Sequence, residues 1–386
     1  MMARYRVLRT SVPLVLLLIA GCSASIRLDR SMASDPSDWT MYGGSPSRTN
    51  QSQSTVSPPL KPVWEYDAVS GIAGTPVVKD SVVFVGTLKG ELHAIRFSDG
   101  ENLGSTTLES SVVGTPVLNG NYVYVACALG KETLACIFLR DGKRQWASPL
   151  GPIETSPILI GEFLYVTTLD GTLVAVKKGD GTEFWKYETG PKDERKPVHS
   201  SPASDGTVIA FGSDDGWIYC VERMTGNLRW KYQTRASVVA TPVIKNGACI
   251  IGSQDSTLYS IDVQTGTLRW KYEAGSRVYA AVAATQSLVF VGGADGTVAA
   301  LNSSNGSKVW TFSAKSLVSC APLIAGDILY VGSLDRTLYA LRLQTGEKVW
   351  DYKMEGRIRV SPVIWKDMLI VASEDKYVTA FRAVPQ

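Results

Sequence analysis

Between Leu60 and Arg382 apolar and polar side chains alternate in short runs rather than in helical stripes. Val82–Gly86, Tyr122–Ala126, Leu164–Thr167 and Leu329–Gly332 are apolar stretches that end in small residues, the right length for buried strands and too short for helices. A turn bearing Gly or Asp follows each, as at Asp170-Gly171, Asp215-Gly216 and Asp295-Gly296. A second alternating strand comes next, as at Leu173–Val176, Leu258–Ile261 and Leu338–Leu341. Then a glycine and, four residues later, a tryptophan recur: Gly142/Trp146, Gly181/Trp185, Gly226/Trp230, Gly266/Trp270, Gly306/Trp310 and Gly346/Trp350. In the first unit Gly104 stands at the tryptophan position after Gly100.

These runs belong to one repeat. A small-residue–proline step recurs at Thr75-Pro76, Thr115-Pro116, Ser156-Pro157, Ser201-Pro202, Thr241-Pro242, Ala321-Pro322 and Ser361-Pro362, with Ala281-Val282 standing in once. Successive steps lie 40, 41, 45, 40, 40, 40 and 40 residues apart. Four short strands in about 40 residues is the period of a propeller blade. The chain is therefore expected to be all-β, an eight-bladed β-propeller of four-stranded antiparallel blades.

The Gly-His and Trp-Asp markers of WD40 blades are missing. The units instead resemble the PQQ-like (quinoprotein-type repeat) propeller family, which runs small-Pro, V-Y-V-G-S-x-D-G, L-Y-A-L and T-G-x-x-x-W-x-Y. Thr225–Tyr232 and Thr265–Tyr272 fit the last element, and the resemblance covers residues 63–382. In that family the small-Pro strand is innermost and the Trp strand outermost. The eighth unit ends at Phe381-Arg382 with no Trp strand, while Val63-Trp64-Glu65-Tyr66 supplies one upstream. The N-terminal strand is thus expected to complete blade eight beside Val378–Phe381, closing the ring and removing exposed sheet edges.

The start of the chain reads as an address. Arg4, Arg6 and Arg9 precede an apolar run from Val12 to Ala20, a secretory signal too short to span a bilayer, which takes about 20 apolar residues. Ile19-Ala20-Gly21-Cys22 resembles the bacterial lipobox, which implies lipidation of Cys22 and, with Ser23 rather than Asp following it, an outer-membrane destination facing the periplasm. Residues 1–21 are then the signal, 22–38 a lipidated tether, 39–62 a lead-in expected to pack on the ring, and 63–386 the propeller. The formal charge of +3 belongs to the three signal arginines: without them 36 basic residues face 36 acidic ones. Bulk charge offers nothing to a nucleic acid. With 45% hydrophobic and 19% charged residues, the chain has a core to bury and is not a disordered tail.

The candidate chemistry is sparse. Cys136 and Cys220 fall in a slot filled elsewhere by Ala94, Ala175, Ser260 and Ala300, so the cysteines read as small buried residues, with a Cys127–Cys136 hairpin bridge as the alternative. His93 and His199 alone cannot build a zinc site, and neither has a nucleophile elbow nearby. The tryptophans recur once per unit and are expected to dock neighbouring blades.

What the repeat does not repeat marks a candidate face. The residues four before each proline position, Ile72, Val112, Ile153, Val198, Val238, Val278, Val318 and Ile358, are all β-branched and should be buried between blades. Those three before point the other way, toward the channel mouth: Ala73, Val113, Glu154, His199, Val239, Tyr279, Ser319 and Arg359. With the residues five before, Arg277, Tyr279, Arg357 and Arg359 gather in blades six to eight, opposite Glu154 and His199. The single 45-residue spacing comes from an insertion at Gly190–His199 that carries Arg195, either a solvated loop or a partner-docking loop. The Arg cluster suits ion pairing with nearby Asp turns or an acidic partner.

A lipid-anchored propeller of this kind resembles the lipoprotein family of the outer-membrane β-barrel assembly machinery. That resemblance implies a non-enzymatic scaffold for protein partners of the cell envelope, the β-barrel insertase among them; no contact motif of that family carries over. A binding propeller of another envelope system, such as polysaccharide export, is the alternative. A PQQ-dependent oxidoreductase is the less favoured one, because such enzymes carry a vicinal Cys pair and a calcium site with a catalytic Asp on large loops. This sequence has no adjacent cysteines and short turns, so no cofactor and no metal are expected.

Overall fold

The computed structural model describes residues 25–384. Eight antiparallel sheets of four strands follow one another round a ring, and no helix occurs among the described residues. Blade 5 is representative: Val243–Lys245 is innermost, then Ala248–Gly252, Thr257–Asp262 and Leu268–Glu273. The second and third strands are the most deeply buried, lying between flanking blades on both faces. The outermost alternates exposed side chains with the buried Trp270 and the half-buried Tyr272.

Two contacts repeat from blade to blade. All eight β-branched residues four before the proline position are buried at 2% exposure or less. Five of them face a glycine that ends the second strand of the preceding blade: a Cβ added at Gly86 would lie 2.2 Å from Val112, at Gly212 2.3 Å from Val238, at Gly252 2.2 Å from Val278, at Gly292 2.4 Å from Val318, and at Gly332 2.3 Å from Ile358. Only glycine leaves room for a branched neighbour there. The tryptophans make the second contact. Trp230 of blade 4 lies on Gly266 of blade 5 and donates its indole N–H to the Val263 carbonyl at 2.9 Å. Trp64, Trp146, Trp185, Trp270 and Trp310 do the same with Phe97, Lys178, Arg223, Ser303 and Leu343. Each indole buries its apolar body and satisfies its single donor.

Blade 1 has Gly104 in the Trp position, and the vacancy is filled from outside the ring. Ile26 is fully buried there, its carbonyl 2.5 Å from where a Gly142 Cβ would sit. Leu28 N–H donates at 2.9 Å to the Leu139 carbonyl, the acceptor that an indole would otherwise use. Met32 is also buried, and its N–H bonds Asn121 Oδ1 at 2.7 Å. From Ser25 onward, then, the stretch expected as a tether is a strap bound across blades 1 and 2, because its apolar side chains find a ready slot. Cys22 and the signal lie outside the described residues.

Ring closure follows the expected route. Leu60–Asp67 pairs antiparallel with Tyr377–Ala383, from Leu60–Ala383 to Asp67–Tyr377 with a bulge between Pro62 and Trp64, as the outermost strand of blade 8.

Before that strand the lead-in circles the ring's axis and bonds every blade. Trp39 bridges Val78, and Thr40, Pro46, Ser47, Thr49 and Asn50 carbonyls accept N–H groups of Leu118, Ser204, Ile244, Ala284 and Ile324. Gln51–Ser52 adds a parallel strand inside blade 7, and Asp38 accepts the Trp365 indole of blade 8. Blade 3 is reached by Arg48, which donates to the Ser156 carbonyl at 2.6 Å and to the Pro157, Pro202 and Tyr42 carbonyls. Arg48 is fully buried, and burial pushes its guanidinium down to about 9, still a cation at neutral pH. One end of the channel is thereby sealed by the chain itself.

Candidate functional site: the open channel mouth

At the other end the innermost strands begin, and the side chains three before each proline position converge. All eight, Ala73, Val113, Glu154, His199, Val239, Tyr279, Ser319 and Arg359, line a chamber of about 210 Å³. Period-two alternation dictates this, since their neighbours one residue earlier are spent between blades. Below them runs a partial ring of hydroxyls. Thr115 Oγ1, Ser156 Oγ and Ser201 Oγ each accept the N–H of the matching residue one blade back, at 2.9 Å. Thr75 does the same for Ser361 at 3.3 Å. Blades 6 and 7 carry Ala281 and Ala321 instead, and Tyr42 of the lead-in packs into the cluster they belong to.

The mouth is electrically uneven. In blades 3 and 4, His199 Nδ1 lies 2.9 Å from Asp214 Oδ2, with Glu154 3.9 Å from Nε2. The hydrogen bond to Asp214, reinforced by both carboxylates, holds the imidazole pKa above its ordinary value against partial burial. Across the ring, Arg359 Nε bonds Glu374 at 3.0 Å. Arg277 sits 3.4 Å from the Tyr279 hydroxyl. Of the four residues expected to cluster, Arg277 reaches Tyr279, and the four divide between chamber and rim. Tyr279 and Arg359 line the chamber, whereas Arg277 and Arg357 stay on the rim outside it. The carbonyls of Arg277 and Arg357 are tied to the N–H groups of Ala294 and Glu374 in the second turns, which rim this same face.

Arg195 is elsewhere. The insertion folds back by bonds from Glu194 and Arg195 N–H to the Pro191 carbonyl, and lays Arg195 over Gly171 of blade 3. Its side chain is 9% exposed and its guanidinium pairs with Glu188 at 3.0 Å. Asp214, Glu374, Tyr42 and Arg48 were not singled out from sequence. The two carboxylates flank turn positions where Asp is common, and the lead-in has no period to mark it.

No nucleophile–base pair forms at either histidine. His93 is hydrogen-bonded to the Tyr66 hydroxyl at 2.8 Å and flanked by Glu91, and His199 faces carboxylates. The five described cysteines are buried and unbridged. Burial pushes Cys320, beside the chamber, up to about 12, so its thiol stays protonated at neutral pH. The mouth presents polar and charged groups to whatever enters it.

A closed ring of eight four-stranded blades, all but the first carrying a docking tryptophan, defines a PQQ-like β-propeller, and comparison with known proteins refines this. The family model described as outer membrane protein assembly factor BamB matches residues 57–128, 113–187, 170–316 and 294–384, and the chain belongs to that family. The crystal structure of BamB from Moraxella catarrhalis superposes with a TM-score of 0.72 at 18% identity, covering 84% of this chain and 99% of that one. The quinohemoprotein alcohol dehydrogenase of Comamonas testosteroni shares the fold at a TM-score of 0.76 and 13% identity, over 92% of this chain and 82% of that one. An uncharacterized protein of Rickettsia conorii is 30% identical over 137 residues, 31% of this chain and 32% of that protein, so the chain spans about a third of the length of this curated relative.

The dehydrogenase likeness raises a quinone and a metal, which the residues present do not fit. The sequence has no adjacent cysteines. Among the described residues no three His, Cys, Asp or Glu side chains gather as metal ligands. The lead-in, with Tyr42 and Arg48, occupies the axis.

Proposed function

We propose that this protein is a non-enzymatic scaffold of the bacterial envelope, anchored by lipid at Cys22 to the periplasmic side of the outer membrane. There it binds protein partners in the assembly of outer-membrane β-barrels. Family membership across the whole ring carries the reading. The asymmetry of the ring supports it: one end is sealed by the chain's own lead-in, while the other is open, polar and unevenly charged. In this reading Glu154, His199, Tyr279 and Arg359 inside the mouth, Arg277 and Arg357 on its rim, and Arg195 on the insertion are the contact residues, and the β-barrel insertase is the partner.

Recovery of the anchored protein from native membranes tests this directly. Co-purification of a β-barrel insertase is expected, weakened by Arg277→Glu, Arg357→Glu and Arg359→Glu together. Recovery of a polysaccharide-export complex instead would replace the partner assignment. Quinone-dependent dye reduction by the purified chain with calcium would overturn the non-enzymatic reading. Palmitate incorporation that survives Cys22→Ser would remove the anchor.

A further inference from the structure

Each interface between blades has a second aromatic slot, nearer the mouth face than the tryptophan. One occupant lies two residues after the Trp position, and the other comes from the third strand of the next blade. Tyr187 meets Tyr219, Tyr232 meets Tyr259 and Phe312 meets Tyr339, with ring centroids 5.8, 5.6 and 5.2 Å apart. Tyr66 meets His93 at 5.8 Å. At two further interfaces Tyr272 and Tyr352 are opposed by Ala299 and Thr379. Only the two seams of blade 2 have no aromatic at either position: Thr106 with Ala135, and Ser148 with Val174. Both are open clefts, of about 420 and 530 Å³.

The larger cleft, between blades 2 and 3, keeps the polar half of the slot. In blades 4, 5 and 7 the phenol of the third-strand tyrosine donates to the turn aspartate at 2.7 Å: Tyr219 to Asp215, Tyr259 to Asp255, Tyr339 to Asp335. Asp170 is the equivalent carboxylate in blade 3, lines the cleft, and takes no such bond because Val174 replaces the tyrosine. Leu150, Leu169 and Val174 form apolar walls. Arg195 closes one side, buried to 9% exposure, with its Nε lacking a hydrogen-bond partner among the described residues.

We propose that this cleft is a binding site for a tyrosine side chain presented by an extended polypeptide of a partner. The ring would stack where Tyr187 and Tyr219 stack one blade later, and its hydroxyl would donate to Asp170. Arg195 Nε would receive a backbone carbonyl of the same segment. The inference rests on the reading of the ring as a polypeptide-binding scaffold and adds a second site, apart from the channel mouth, with its side-chain chemistry.

The test uses the purified full chain and a fluorescent, capped eight-residue peptide alternating Thr with Tyr, against versions alternating Thr with Phe or Ala. The Tyr peptide should bind at least tenfold more tightly than the Ala peptide. Val174→Tyr restores the repeat's own phenol, and should raise the melting temperature while weakening the Tyr peptide at least tenfold. Asp170→Ala, at an exposed turn where folding is not at stake, removes the acceptor and should erase the Tyr-over-Phe preference. Equal binding of Tyr and Ala peptides, or undiminished binding by a folded Val174→Tyr chain, overturns the proposal. So does a Tyr-over-Phe preference that Asp170→Ala leaves intact. The titration needs no envelope partner, so its failure is distinct from failure of the membrane recovery.

Discussion

Single side chains carry unequal weight in this ring. Trp230 is 8% exposed, lies on Gly266 and satisfies its indole on the Val263 carbonyl. Trp230→Ala should cost about 3–5 kcal/mol in urea unfolding, because truncation leaves a cavity and a carbonyl without its donor. His199 governs a pH response. Its folded pKa lies above the ordinary 6.5, since Asp214 favours the imidazolium. The stabilisation is therefore fully present below about pH 6.5, the unfolded value, and is lost as pH rises through the folded pKa. In NMR titrations Asp214→Asn should bring the His199 midpoint down toward 6.5; an unmoved midpoint would dismiss the pair. Which residues line the mouth was legible, because alternation fixes side-chain direction and the repeat fixes register. Their partners were not. Asp214 and Glu374 reach His199 and Arg359 from turns whose approach depends on the twist of each blade, which no single run of residues records.

Among the elements, the strap is the clearest exception to the repeat. Gly104 in a tryptophan position was visible as an irregularity, yet its replacement, Ile26, lies far upstream in a Ser-rich stretch with no pattern of its own. An isolated Ile is invisible to periodicity and becomes informative only beside the vacancy it fills. Ile26→Asp should release residues 25–33 to proteolysis and rapid amide exchange, with little change in the unfolding of the ring, because the slot is at the rim. A fall in global stability as large as that of Trp230→Ala would mean that the strap is part of the cooperative core. The lead-in differs: Arg48 donates to four carbonyls from three separate parts of the chain. Arg48→Met strips these buried acceptors of their donors and should cost several kcal/mol.

For the molecule as a whole, closure by Leu60–Asp67 is the feature on which the eight blades depend. Deleting residues 60–67 exposes the edge of Tyr377–Ala383 and should give a lower melting temperature and self-association by light scattering. A monomer with unchanged melting would refute the closure. The count of blades was legible in the eight recurring small-residue steps, and the closure in the last unit's lack of a Trp strand, which Trp64 supplies upstream. The sealing of one end was not, since it depends on where a non-repeating segment runs.

That closure also sets an order in time. The strand that completes blade 8 leaves the ribosome, and crosses any membrane, ahead of all eight blades, while its partner Tyr377–Ala383 follows blades 1 to 7. Those blades pair locally and can assemble as they emerge, but the ring must wait for Tyr377–Ala383. Until then both ends of the incomplete circle stay unpaired. A chain stalled or truncated near its C-terminus would fold most of its sheets and still lack the join.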